Sequence, residues 1–280
     1  DPVPDSGSGS FRMCMASAHA KRITMAVVVI RIGLTGGIAA GKSTVSARLR
    51  ELGAVLVDYD LLARQVVEPG SIGLQRIVEC FGSDALTDRG ELNRAWMAEH
   101  VFSGADAERK RKMLDGIEHP LIYELAVQLE HEAVEVDCQA VVVHDIPLLA
   151  EVIDSIPFEF DHIVTVEAPE QVRVSRMMST RGMSESQAWN RVNHQSSVEQ
   201  RLAIADEIID STQSLEQMFE HIDMLMQQWR TEAREVWDSI LNARTSRLWS
   251  NRHISRAATS LKRLKSLRNA LKTVRTMWCS

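Results

Sequence analysis

The chain has 280 residues, 45% of them hydrophobic and 5% aromatic, enough aliphatic side chain to bury a sizeable core in one or two domains. Its net charge of -6 is uneven: residues 231–280 hold 11 Lys and Arg against 3 Asp and Glu, so the body is strongly acidic and lacks the broad basic face that duplex nucleic acid requires. Cys14, Cys80, Cys138 and Cys279 form no CxxC pair, which excludes a zinc or thioredoxin-like motif and predicts reduced, cytoplasmic thiols; no apolar run nears the ~18 residues of a membrane span.

Residues 1–24, opening DPVPDSGSGS, show no apolar period and are expected to be a disordered leader or a start-site artefact. Lys21-Arg22 before Ile23 to Ile30 has the look of a signal peptide, but Arg31 cuts it short and no small-residue cleavage site follows. The folded part is expected from about Met25. Val27 to Leu34 predicts a buried strand, then a Gly-rich turn, then a helix from about Ser43 that Gly53 ends.

Between strand and helix lies Gly36-Gly37-Ile38-Ala39-Ala40-Gly41-Lys42-Ser43-Thr44, which fits G-x-x-x-x-G-K-[ST]. In that context successive backbone N–H groups and the positive helix end converge on a concavity sized for phosphate oxygens. Lys42 is then placed to reach the β- and γ-phosphates of ATP, Ser43 supplies a hard oxygen to Mg²⁺, and Thr44 supports the α-phosphate.

Ala54 to Val57 predicts a second strand, ending in Asp58-Tyr59-Asp60. Two carboxylates at that edge of an open parallel sheet suit a general base or a holder of the Mg²⁺ water shell; Asp is also a favoured helix N-cap, and both uses stay open. Residues from about 106 to 135 predict mostly helix, with Pro120 starting a new helix or kinking the old one. Ala140 to Val143, Ile163 to Val166 and Ile208-Ile209 complete five strands, and a charge-rich helical stretch from Pro169 to about Ala205 breaks near Arg181-Gly182. Strands alternating with helices predict an α/β fold with a parallel sheet. From Arg244 onward Ile254, Ala258, Leu261, Leu264, Leu271 and Met277 fall near one helical face, as in a basic amphipathic helix for an anionic membrane or RNA, or in a frayed, solvated extension.

No D-x-x-G or N-K-x-D is present, which excludes a GTPase switch, and no LSGGQ, which excludes a transporter-type ATPase. A compact small-molecule kinase remains. The runs TGGIAAGKST, VDYDLLARQVVEPG, HPLI, DIPLLAE, RMMSTRGM and ADEIID, in order over about residues 30–230, make the chain similar to dephospho-CoA kinase. The resemblance implies a P-loop NTPase fold with a five-stranded parallel sheet, a helical substrate-binding region (about 60–135) and a small helical lid (about 170–205). The kinase domain would span 25–230, leaving 231–280 as a basic extension.

It further implies ATP as donor and dephospho-CoA as acceptor, its ribose 3′-hydroxyl being phosphorylated in the last step of coenzyme A synthesis. Asp60 matches the proposed catalytic base, Asp58 the organiser of the metal shell, and Arg64 belongs to the same motif. Arg176 matches a lid arginine that clamps the transferring phosphates, a task Arg181 would share unless it is only a solvated helix end. His119 and Pro120 match the substrate-side H-P, although a satisfied buried histidine is the alternative. Pro147, Leu148 and Leu149 would line the acceptor site or belong to the core. Ala39-Ala40 replaces a commoner Gly and small residue, which stiffens the loop, and His144 replaces an acidic or apolar residue. Another small-metabolite or nucleoside-monophosphate kinase, or a non-catalytic ATP-binding module, is the competing reading.

Overall fold

The computed structural model describes residues 29–245, so the leader, the start of the first strand at Val27-Val28 and the tail beyond 245 lie outside the described residues. The chain begins with β1 (Ile30–Gly36), α1 (Lys42–Glu51) and β2 (Val55–Asp58), followed by α2 (Tyr59–Gln65), α3 (Ile72–Phe81), α4 (Arg94–Val101) and α5 (Ala107–Val136). Then come β3 (Val141–Asp145), α6 (Leu149–Val152), β4 (His162–Glu167), α7 (Glu170–Arg181), α8 (Glu185–Asn193), α9 (Val198–Ile204), β5 (Glu207–Asp210) and α10 (Leu215–Thr245). Among the described residues no helix is long and apolar enough to cross a membrane.

The five strands pair in parallel in the order β2-β3-β1-β4-β5, so β1 sits in the middle and delivers the following loop to the centre of the C-terminal edge. Alternating side chains feed two cores, as the two-residue period of a strand requires. Val141, Val143, Val164 and Val166 pack with Val45 and Leu49 of α1 and with Met218, Ile222, Leu225, Met226, Trp229 and Ala233 of α10. Val142 and Ile163 face the other way, toward Val57, Leu62 of α2, Ile77 of α3, and Leu114, Ile122 and Ala126 of α5. A third, smaller core joins Val174 and Met177 of α7 to Ala188 and Val192 of α8 and takes in Ile38 and Ala39 of the Gly-rich loop.

The short helices are fixed at their starts. Asp58 caps α2, accepting from the Asp60 and Leu61 N–H groups, and Ser184 and Ser197 open α8 and α9 with reciprocal Gln187 and Gln200 capping boxes. Pro120, in contrast, starts no new helix: α5 runs unbroken through it. The carbonyl that loses its partner there belongs to exposed Gly116, one turn earlier, where solvent can supply the bond. α10 likewise runs past residue 230, and the chain divides into one compact unit ending at Ala233 and another from Arg234.

One buried polar group stands out between β3 and α5. Glu130 is 3% exposed, and its carboxylate accepts from Arg31 Nε (2.6 Å) and Nη2 (2.9 Å) and from His144 Nε2 (2.8 Å). Burial alone would raise this carboxyl, but the bonds from His144 and Arg31 outweigh it and hold the group at about 2 rather than 4.5. A second constraint is the close approach of β1 to β4: a Cβ on Gly36 would lie 2.5 Å from the Val166 carbonyl oxygen.

Both features are testable by urea unfolding. The folded-state Glu130 carboxyl takes its proton near pH 2 and the unfolded one near 4.5, so its stabilisation, about 3 kcal/mol, is complete above pH 4.5 and fades as pH falls to 2. Glu130→Gln should therefore be less stable by about that amount at pH 7, with the gap closing in acid. Gly36→Ala should cost about 1–3 kcal/mol at every pH, since a backbone carbonyl must move.

Candidate active site

The loop between β1 and α1 is a backbone cradle. Gly41, at φ 104°, adopts a left-handed conformation suited to glycine and serves as N-cap of α1 without a side-chain cap. Among the described residues, the N–H groups of Gly41, Lys42 and Ser43 have no protein acceptor, and the first turn of α1 holds no acidic side chain to offset the positive helix end. Such an end binds anions. Ala39 also sits in the left-handed region, at φ 58°, so it is strained as well as stiff, at about 1–2 kcal/mol for a residue with a Cβ.

Side chains from the segment α7 to α9 hold this loop from outside. Arg176 on α7 donates through Nη1 to the carbonyls of Ala39 (3.3 Å) and Ala40 (3.1 Å) and to Ser211 Oγ (2.9 Å), and through Nη2 to the Ser211 carbonyl (2.7 Å). A trans peptide points its N–H opposite its carbonyl, so gripping the Ala40 oxygen turns the Gly41 N–H the other way, into the cradle. The Ile38 N–H donates to Gln195 Oε1 (2.7 Å), from the α8–α9 connection. Arg173, one turn before Arg176, is 2% exposed, and a Cβ on Gly37 would meet its Nη1 at 2.6 Å. Arg201, equally buried, makes a two-pronged pair with Glu167 (2.7 Å each) beneath the same glycine. Burial, then the nearby Arg201, lowers the Arg173 pKa.

Two carboxylates lie beside this cradle at the sheet edge. Lys42 Nζ pairs with Asp145 Oδ1 at the end of β3, and Asp145 lies in register with Asp58 at the end of β2. Burial raises the Asp145 carboxyl, and the Lys42 ammonium opposes that shift. Asp58 spends Oδ1 on capping α2, so the capping use is real; Oδ2 has no hydrogen bond among the described residues. Asp60, the second residue of α2, is exposed at the helix start, and Arg64 is exposed one turn on.

The remaining residues singled out from the sequence separate. His119 is half-buried on α5, 3.9 Å from Asp115, and with Pro120, Tyr123, Ser155 and Pro157 lines a shallow cavity of about 670 Å³. Rings connect that cavity to the carboxylate turn: His119 to Tyr123 is 5.9 Å, and Tyr123 to Tyr59, between the two aspartates, is 6.4 Å. Pro147 and Leu148 are half-buried just past β3, with the Pro147 carbonyl accepting from Thr35 Oγ1 (3.2 Å). Leu149 is 0% exposed and packs in the core, which is the second of its two expected uses. Arg181 ends α7, exposed, with no hydrogen bond or ion pair among the described residues, where a helix C-terminus favours a cation anyway.

Sequence reasoning passed over Asp145, Arg173, Gln195, Arg201 and Ser211. Asp145 had a signal, an acidic residue closing a β-branched strand, and Arg173 lies three residues before Arg176 on one helical face. Gln195 and Ser211 had none, because each reaches the loop from more than 150 residues away in the chain.

Residues 30–217 match the family model for dephospho-CoA kinase. A dephospho-CoA kinase of Bifidobacterium longum is 58% identical over 201 residues, covering 72% of this chain and 97% of the relative. One from Cutibacterium acnes is 45% identical over 206 residues, 74% of this chain and 87% of the relative. A crystal structure of a Thermus thermophilus protein superposes with a TM-score of 0.59 at 30% identity, covering 71% of this chain and 97% of that one. With the loop and the strand-edge carboxylates arranged on one parallel sheet, and with these matches over most of its length, the chain belongs to the dephospho-CoA kinase family.

Proposed function

We propose that the protein transfers the γ-phosphoryl group of ATP to the ribose 3′-hydroxyl of dephospho-CoA, giving CoA and ADP. The observation that carries this reading is the convergence of the open α1 N-terminus, Lys42 and the in-register Asp58 and Asp145 on one sheet edge. Membership of the family supports the choice of acceptor. The free thiols of Cys80 and Cys138 agree with a cytoplasmic site of action.

The loop amides and Lys42 hold the β- and γ-phosphates, and Arg176 keeps the loop carbonyls turned away from them. Dephospho-CoA enters from the α5 side, where His119 and the half-buried Leu148 meet it and the Tyr123–Tyr59 contact leads toward Asp60. Asp60 accepts the 3′-hydroxyl proton as that oxygen bonds to the γ-phosphorus; the bond to the bridging oxygen breaks and ADP keeps the electron pair. Lys42 offsets charge on the transferring group, and the rest of the task is holding the two oxygens in line.

Mg²⁺ fits these residues: the Ser43 hydroxyl and the Asp58 and Asp145 carboxylates are hard oxygen donors, and Asp58 Oδ2 is uncommitted. Such an ion usually keeps several waters and shares substrate phosphates, so few protein oxygens are needed to hold it. When bound, it neutralises charge on the β- and γ-phosphates.

An ADP-release assay with Mg·ATP, with and without dephospho-CoA and with product mass measured, tests the reading. The acceptor should gain one phosphoryl group. Lys42→Ala should lower turnover by on the order of 10³. Asp60→Asn should lower kcat by about 10²–10⁴ with ATP affinity kept. Stimulation by AMP or another metabolite in place of dephospho-CoA would reassign the acceptor, and no stimulation by any would leave an ATP-binding module.

A further inference from the structure

We propose that Tyr59, His144 and Glu130 form a hydrogen-bonded chain whose task is to position the Asp58–Asp60 turn for phosphoryl transfer, making Tyr59 and His144 positioning residues for the reaction. The proposal rests on the reading of Asp60 as the base.

The chain runs from the body of the molecule to the site. Arg31 on β1 grips both oxygens of Glu130 on α5, Glu130 Oε1 accepts from His144 Nε2 on β3 (2.8 Å), and His144 Nδ1 meets the Tyr59 hydroxyl (3.1 Å). Tyr59 is the first residue of α2 and stands between Asp58 and Asp60. Its side chain and those of His144 and Glu130 are 8%, 0% and 3% exposed at the residue level, so water does not compete for these bonds. Phe158 and Phe160 close over the imidazole at ring distances of 5.1 and 5.6 Å.

For a neutral imidazole the polarity has one solution. A carboxylate already bound by Arg31 accepts only, so His144 Nε2 carries the proton toward it, Nδ1 becomes the acceptor, and Tyr59 O–H donates.

The turn requires such an anchor. α2 has seven residues, too few to hold a shape unaided, and Asp60 points no bond of its own into the protein among the described residues. Asp58 fixes the helix backbone, while Tyr59 ties its first residue to the sheet. Successive side chains of a strand take opposite faces, so at the end of β3 His144 anchors the acceptor-side turn while Asp145 pairs with Lys42 on the donor side. One two-residue segment thereby sets the relative placement of the groups handling the two substrates, and a misplacement of about 1 Å is enough to slow such a transfer by on the order of 10².

The test uses the full chain. Tyr59→Phe removes one oxygen and keeps the ring, so it should fold, with a thermal midpoint lower by a few degrees because His144 Nδ1 loses its donor. We expect its kcat with dephospho-CoA to fall about tenfold or more while KM for ATP stays within about twofold. His144→Phe should show the same split, and the double variant should be no slower than the slower single one, because both act through one bond. Wild-type kcat in Tyr59→Phe, or equal losses in kcat and ATP binding, would overturn the proposal. Nitrogen NMR of ring-labelled histidine supplies a reading independent of catalysis: in the wild type His144 should be protonated at Nε2 and not at Nδ1, and the opposite tautomer would overturn it. Absence of dephospho-CoA turnover in the wild type would strike the proposed acceptor, with the tautomer then deciding on the chain of bonds.

Discussion

A phosphate group can be surrounded by backbone N–H groups only if the chain leaves the sheet through a turn that carries almost no side chain, and that requirement organises this protein. Gly36 passes the Val166 carbonyl at a distance no Cβ would tolerate, Gly37 rests on two guanidinium groups, and Gly41 turns left-handed to open α1. A backbone so bare cannot fix its own shape. Arg176, Gln195 and the small core around Val174 and Met177 hold it from outside, and Ile38 and Ala39 are its contribution to that core. Movement of α7 or α8 is therefore felt directly by the phosphate cradle.

The electrostatics follow from the same geometry. A helix end with unmatched N–H groups, a lysine and several arginines would repel one another without acidic partners, and the protein supplies these singly: Asp145 to Lys42, and Glu167 to Arg201. Arg173 is matched more loosely, its Nη2 lying 3.6 Å from Glu170 Oε1. Its Nη1 is buried with no acceptor among the described residues, a loss of about 1–3 kcal/mol for such a group, and it lies against Gly37. Polar strain of that kind is kept where a site is built, because a pre-set positive environment need not reorganise when charge develops on the transferring group.

On the acceptor side the arrangement is aromatic and buried. His119, Tyr123 and Tyr59 make a path of rings from the α5 surface to the carboxylate turn, and His144 continues it inward to Glu130 and Arg31. The two halves of the reaction thus meet at β3, whose last two residues face opposite sides of the sheet.

Much of this was legible from the residues alone, and the reasons are local. The nine residues from Gly36 to Thr44 require a particular backbone whatever surrounds them, the β-branched runs could only be buried strands, and Asp58 followed by a short helical pattern announced both a cap and a strand-edge carboxylate. Pro120 left two outcomes open because its effect depends on what lies one turn back, and with Gly116 exposed the helix continues through it without a new start. Leu149 had two possible uses that only packing could separate. The partners of Arg176, the bond from Ile38 to Gln195, and the chain from Arg31 through Glu130 and His144 to Tyr59 join residues tens to more than a hundred positions apart. Residue type and spacing determined which groups could handle phosphate; which of them face each other was decided only when the sheet placed β3 beside both β1 and β2, because contact across strands depends on order and register rather than on any neighbouring sequence.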